Sequence, residues 1–314
     1  MSGTPWARGR LLGGFGGPRL LFGRMYEDWG VELAVFPPPG ARVLCIASAG
    51  DTAAALAGAG YEVTAVDVNA VQLAYARERL AGGAAREGTA EAVMRVGRGA
   101  AARLLPAWRQ EKLRDFLALD DPAEQARRWR QELDTPGLRR LMRIGLRPGG
   151  ALAVALRPSF AGVVPARFDE VLRRRLQRTV GRHPNARNAW LWRLLAGAEP
   201  PGAPAAPPPP GAGAGAGVRL VHGDVVHTLQ RAPRGGYDAV TLSNVLDGPD
   251  AGFARRLRAA VRHAVRPGGV VVLRSAREPG AHGPGWAGQD RSALWGVVRA
   301  VRLGDAAGDR RIEP

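Results

Sequence analysis

Arg42–Leu80, RVLCIASAGDTAAALAGAGYEVTAVDVNAVQLAYARERL, is the stretch that most narrows what this chain can fold into. Arg42–Ala47 is an apolar run of strand length. It meets a small polar turn, Ser48-Ala49-Gly50-Asp51-Thr52, and Thr52–Leu56 begins a helix. Glu62–Val66 is rich in β-branched residues, reads as a second strand and ends in Asp67. Asn69 and Gln72 have the spacing of an N-cap and its capping-box partner. A small-residue turn lets a ligand approach the backbone at a helix N-terminus. A carboxylate at the tip of the next strand can accept both hydroxyls of a ribose. Together they form the front half of a nucleotide-type α/β fold.

The glycine content of the turn restricts the ligand. Dinucleotide sites use G-x-G-x-x-G because a pyrophosphate must touch the backbone. Here Gly50 is the only glycine inside the turn, and Asp51 adds a negative charge beside it. This argues against NAD or FAD and for a ligand without phosphate, such as S-adenosylmethionine.

The later part of the chain supplies the rest of a sheet. Val218–Asp224 is a short strand ending in an acid, expected near an adenine. Tyr237–Val245 is a fourth strand with polar Ser243, Asn244 and Asp247 at its C-terminal end, where open α/β sheets bind ligands. Asp250–Val265 is an amphipathic helix with Phe253, Leu257, Ala260, Val261 and Ala264 on one face. Arg266-Pro267-Gly268-Gly269 is expected to stop it, and Val270–Leu273 to form a buried fifth strand. This order is common in class I methyltransferase-like folds. The expected architecture is therefore α/β: a class I methyltransferase-like Rossmann sheet with a large, mainly helical insertion.

The expected organisation is a basic N-terminal segment, 1–41; a ligand-binding domain, 42–84 and 218–314; a helical insertion, 85–199; and a Pro/Gly/Ala linker, 200–217. Ala90–Arg103, Arg109–Leu119, Pro122–Leu133 and Arg167–Val180 read as helices of the insertion, a cap that selects an acceptor. A second L-R-P-G-G, Leu146–Gly150, followed by Ala151–Leu156, reads as a helix stop and a short strand or loop inside the insertion, an internal repeat being the less favoured alternative. Ser292–Leu303 is the sole candidate for a last strand.

Composition sets outer limits. No run of about 18 apolar residues suggests a membrane span, and the broken apolar pieces of the N-terminus do not form a signal peptide. The single cysteine, Cys45, excludes a disulfide framework and a cysteine zinc site and reads as a small core residue. His222 and His227 lack compact metal-ligand spacing, so no metal is expected. These features point to the cytosol. The net charge of +17 is nearly all arginine, Lys112 being the only lysine. It suits an anionic partner, although GC-rich coding produces the same bias. The cations do not alternate with aromatics as in single-strand nucleic-acid sites. Nucleic acid is thus the less favoured partner, and an anionic membrane surface is at least as compatible.

FGRMYED at Phe22–Asp28, RVLCIASAGDTAAAL at Arg42–Leu56, VTAVDVNAVQLAYA at Val63–Ala76, FLALDDPAEQ at Phe116–Gln125, RHPNARN at Arg182–Asn188, LSNVLDG at Leu242–Gly248 and VVVLRSAREP at Val271–Pro279 occur in this order. With them the chain resembles the S-adenosylmethionine:diacylglycerol 3-amino-3-carboxypropyltransferase family, which makes the first committed intermediate of betaine lipids. The resemblance runs from about Phe22 to Pro279 and includes the insertion. It implies transfer of the 3-amino-3-carboxypropyl group to the hydroxyl of diacylglycerol or a related lipid, with release of methylthioadenosine. It also implies peripheral association with the cytoplasmic membrane face, and a separate N-methyltransferase as a possible partner.

The chemistry then assigns roles. An alcohol needs a general base; Asp247 is the first candidate and His183 the second. Tyr26, with Glu27 and Asp28, is placed to close over the pocket. The residues expected to hold S-adenosylmethionine are Ser48, Ala49, Gly50 and Thr52 in the turn; Asp67, Val68 and Gln72 after the second strand; Asp224; Ser243 and Asn244; and Arg274 for the ligand's carboxylate. Two other readings stay open: a methyltransferase for a small molecule or RNA, and a non-catalytic S-adenosylmethionine-binding module at the membrane surface.

Overall fold

The structure is a computed structural model that describes residues 6, 9–13, 16–147, 165–202, 217–281 and 283–304. Residues 148–156 of the second R-P-G-G unit, and most of the expected linker, lie outside the described residues.

Six strands form one sheet: β1 Arg42–Ile46, β2 Glu62–Asp67, β3 Val218–His222, β4 Tyr237–Thr241, β5 Val265–Ser275 and β6 Val297–Arg302. Their spatial order is β3-β2-β1-β4-β5-β6, with β6 antiparallel to β5 and all other pairs parallel. The chain runs outward from β1 to β3 on one side and from β4 to β6 on the other. The switch point therefore lies between β1 and β4, with a crevice at their C-terminal ends. The α/β class and the mostly parallel sheet are compatible with a Rossmann-like fold.

Strand periodicity explains both faces of the sheet. Leu44, Val240, Leu242, Val271 and Leu273 pack with Leu229, Phe253, Leu257 and Val261. Val43, Cys45, Val63, Ala65 and Val272 pack on the other face with Leu56 and Leu73. Cys45 is fully buried in that core. The helix expected at Asp250–Val265 runs Ala251–Ala264, and the Asp250 carboxylate accepts Phe253 N–H at 2.7 Å as its N-cap.

Two local readings are corrected. Arg266–Gly269 does not precede the fifth strand but lies within it. Val265 pairs with Tyr237 and Val270 with Ala239, so the four residues between bulge from the ladder. A Cβ at Gly269 would come within 2.8 Å of the Asp238 carbonyl oxygen, which only glycine avoids. Likewise Asn69 caps the Ala70–Leu80 helix as expected, accepting from Val71 N at 3.0 Å and Gln72 N at 3.4 Å. Gln72 does not complete a capping box, because Asp67 Oδ1 takes the Asn69 N–H at 2.9 Å.

Between that helix and β3 lies a helical layer: Thr89–Leu104, Gln110–Leu117, Pro122–Arg128, Pro136–Leu146, Phe168–Val180 and Ala189–Leu195. The helix begun at Pro122 continues as a wider π turn, Trp129–Leu133. The layer has its own core, with Phe116, Leu117, Trp129, Leu133, Val180 and Leu191 almost fully buried.

One guanidinium ties the N-terminal segment to the sheet. Arg274, at the end of β5, has a fully buried side chain. It bonds both oxygens of Glu32 in the Gly30–Val35 helix, the Asp290 carboxylate at 3.1 Å and the Asp28 carbonyl at 2.9 Å. Glu32 also accepts the Thr241 hydroxyl at 2.7 Å. Burial alone would lower the Arg274 pKa, but the facing carboxylates, Glu32 foremost, hold it well above the ordinary value. Such a cluster resists the loss of one member, because the remaining charges stay dry and uncompensated. Arg274→Ala is expected to cost about 3–5 kcal/mol, read as a lower urea midpoint. Arg187→Ala, at an exposed pair with Asp120, should leave the midpoint unchanged; equal midpoints for the two variants would contradict the assignment.

Candidate functional site

The C-terminal ends of β1, β2, β3 and β4 converge on one cavity. Ser48, Asp67, Val68, Gln72, Asp224, Ser243 and Asn244 all line it. Trp6, Leu21, Phe22, Val245 and Phe253 add an apolar wall that sequence spacing did not reveal.

The carboxylate of Asp67 is the polar centre. Its Oδ2 accepts Ser48 N–H at 3.0 Å, linking the tips of β2 and β1. Burial raises its pKa to about 6, while the N–H donors of Asn69 and Ser48 oppose the rise. Asp224 follows β3, lines the cavity and also caps the Val225–Arg231 helix, accepting Val226 N–H at 2.8 Å. The two roles are compatible, since one carboxylate has several acceptor positions.

Backbone strain is concentrated at this crevice. Ser48 has φ +44° and Ser243 φ +52°, two of three described non-glycine residues with positive φ. Each stands just beyond adjacent strands β1 and β4, and each lines the cavity. Such residues cost about 1–3 kcal/mol and persist where their surroundings over-determine them. The turn at Ser243 also explains why β4 ends at Thr241 rather than at the expected Val245.

Ser243 connects the cavity to a buried acid. Its hydroxyl donates to Glu27, and Glu27 Oε2 lies 3.7 Å from the Arg274 guanidinium. Burial raises the Glu27 pKa to about 7, with Arg274 and the Ser243 hydroxyl opposing the rise. Glu27 was legible only as part of the acidic M-Y-E-D run; its contact with Ser243 joins residues 216 positions apart.

The N-terminal segment covers the site. Gln72 Oε1 accepts the N–H groups of Leu21 and Phe22 at 3.0 and 3.1 Å, and its Nε2 donates to Phe22 O at 2.8 Å. Tyr75 donates to Gly23 O at 2.9 Å, and Asp51 accepts Met25 N–H at 2.8 Å. This last contact, with Arg24 and Arg79 nearby, fills the N-terminus of the Asp51–Gly58 helix.

Seven expected site residues do not line the cavity. Ala49 packs with Met25 and Tyr75. Gly50 shapes the turn at φ +87°, and buried Thr52 directs its N–H to Met25 Sδ at 3.5 Å. Arg274 is saturated by Glu32 and Asp290, so it has no free face for a ligand carboxylate. Asp247 is buried; it accepts the Ser275 hydroxyl at 2.7 Å and Ala276 N–H at 2.9 Å, tying the ends of β4 and β5. Burial raises its pKa, and it stands outside the cavity lining. His183 contacts Gly288 O through Nε2 at 3.1 Å, and burial lowers its pKa. Tyr26 belongs to the helical core, and burial raises its pKa. These four act here as structural anchors.

Among the described residues, no group of three or more His, Cys, Asp or Glu is arranged to hold a metal ion. Likewise, no described helix is long and apolar enough to cross a membrane. The chain matches no protein-family model and no curated protein.

The Gln72 contacts predict how the cover responds when they are cut. Gln72→Ala removes the partners of three backbone groups, each worth about 1 kcal/mol. Tryptic cleavage after Arg19 or Arg24 should accelerate by about tenfold with unchanged circular dichroism; an unchanged rate would show that the segment is held by other contacts.

Proposed function

We propose that the chain binds S-adenosylmethionine in this cavity and transfers its 3-amino-3-carboxypropyl group to the hydroxyl of diacylglycerol or a related lipid. The observation carrying the ligand assignment is the Asp67 carboxylate, buried at the tip of β2 beside the Ser48 turn. It suits a ribose diol. The neighbouring helix N-terminus is occupied by the Asp51–Met25 contact, which disfavours a phosphate there. The strand order, with an antiparallel edge strand after β5, supports a methyltransferase-like class, and the helical layer supports the insertion.

The cavity residues fit the ligand's parts. Asp67 would hold the ribose, Asp224 and Val68 the adenine side, and Ser48, Ser243 and Asn244 the amino-acid side. S-adenosylmethionine supplies an electrophilic carbon next to sulfur, and positioning decides which carbon reacts. The resemblance through F-G-R-M-Y-E-D and L-S-N-V-L-D-G selects the γ-carbon. Both motifs meet at the Glu27–Ser243 hydrogen bond.

Glu27 replaces Asp247 as the proposed base. It accepts the acceptor's proton through the Ser243 hydroxyl, and its pKa of about 7 suits that task. The ionised form is the active one, so turnover rises as pH increases through about 7. Glu27→Gln should lower kcat by about 100-fold and remove that limb of the pH profile. Persistence of the limb would exclude Glu27 as its source.

Asp67→Ala should weaken S-adenosylmethionine binding by about 10–100-fold in titration calorimetry, from loss of charge-assisted hydrogen bonds. The assay of function is mass spectrometry after incubation with S-adenosylmethionine and diacylglycerol in anionic vesicles. Methylthioadenosine and a lipid carrying the aminocarboxypropyl group are the expected products. S-adenosylhomocysteine would instead assign a methyltransferase, and binding without either product a non-catalytic module.

A further inference from the structure

The helical layer carries a second cavity of about 490 Å³, open to solvent along one side and within the size range of small-molecule sites. Met94, Ala101, Leu141, Met142, Leu176 and Leu195 contribute to its apolar walls. Among the described residues, Arg98 is the only charged side chain in the lining, and its guanidinium donates to the carbonyls of Arg193 and Leu194 at 3.5 and 3.3 Å. Trp108 Nε1 donates to Leu133 O at 3.2 Å. With these groups engaged, the cavity suits an apolar occupant.

Two glycines border this space. Gly97 and Gly145 lie inside helices and line the cavity, yet a Cβ on either would meet nothing within 4 Å. Glycine weakens a helix interior relative to almost any other residue. Neither position requires glycine for contact or for positive φ, so a large side chain placed at either would extend into the cavity.

The rim indicates the source of the occupant. Val96 and Ile144 line the cavity while 70% and 62% exposed, and nearby Leu104 is 67% exposed. Exposed Arg103, Arg140 and Arg143 lie on the same two helices. Apolar side chains interspersed with cations complement an anionic bilayer.

One helix reaches from the cover of the polar site to this cavity. Thr89 and Ala90 N–H groups donate to Leu20 and Leu21 carbonyls at 3.0 and 2.9 Å, and Glu91 accepts from Gly23 and Arg24. Leu21 and Phe22 line the first cavity. Later turns of the same helix, from Val93 to Ala101, line the second over about 12 Å.

We propose that this second cavity seats one long acyl chain of the hydroxyl-lipid acceptor, drawn from an anionic bilayer. The identity of that lipid rests on the transfer reading above, whereas chain binding can be measured without it. The probe is cis-parinaric acid, whose fluorescence rises in an apolar site, titrated into the full chain without S-adenosylmethionine. Saturable one-to-one binding is expected. Gly97→Phe and Gly145→Phe, at separate walls, should each weaken it by about tenfold or more by placing a ring in the space the chain would fill, with S-adenosylmethionine affinity and circular dichroism unchanged. Dioleoylglycerol in phosphatidylglycerol micelles should displace the probe from the unaltered protein. Three results overturn the proposal: no saturable binding, undiminished affinity in both variants, or displacement by free oleate but not by dioleoylglycerol. Displacement by dioleoylglycerol without release of methylthioadenosine supports the chain site and removes the transfer reading alone.

Discussion

The buried Arg274 guanidinium organises the molecule. It emerges from β5 beside the sheet's binding edge and gathers Glu32, Asp290 and the Asp28 carbonyl around it. A carboxylate such as Glu32 is tolerated in a dry interior only when paired and hydrogen-bonded; Arg274 and Thr241 meet that demand. The same cluster brings Glu27 beside Arg274 and Ser243. The chain of Asp28 extends it, since its carboxylate forms a two-bond pair with Arg291, at 2.6 and 2.7 Å, and Arg291 rests 4.5 Å from the Trp190 ring. One electrostatic knot thus joins the N-terminal segment, the sheet and the helical layer.

That knot has consequences for the polar cavity. Holding Glu27 out of water raises its pKa toward neutrality, and Ser243 keeps it in hydrogen-bond contact with a cavity-lining group. Gln72, Tyr75 and Asp51 fasten the other end of the N-terminal segment over β1 and β2. The crevice of an open sheet becomes a covered site because a preceding segment, rather than a sheet loop, forms its cover. The Thr89–Leu104 helix then carries this scaffold into the apolar cavity. Its first turn bonds the cover and its later turns line the second space.

Much of the sheet was legible in the sequence because its signals are local. β1 and β2 end close to the positions implied by Arg42–Ala47 and Asp67, and Asn69 and Asp250 cap the helices they precede. Ser48, Asp67, Val68, Gln72, Asp224, Ser243 and Asn244 were found by their places at strand ends and do share a cavity. Asp247 and Arg274 also stand at strand ends, but their side chains turn into buried networks. Residue type and strand position cannot distinguish an acid that faces a cavity from one that anchors two strands. The difference lies in which donors surround it.

From the sequence alone came an α/β chain, a turn poor in phosphate-binding glycine, an acid at the tip of β2 and a helical segment before β3. These follow from side-chain periodicity, capping and turn chemistry, which act over a few residues. Tertiary structure alone decided that Glu32 meets Arg274 across 242 positions, that Glu27 reaches the cavity-lining Ser243 across 216, and that Gly97 and Gly145 border one apolar cavity. Burial, pKa and cavity volume depend on distant elements brought together by packing, and no local pattern specifies those neighbours.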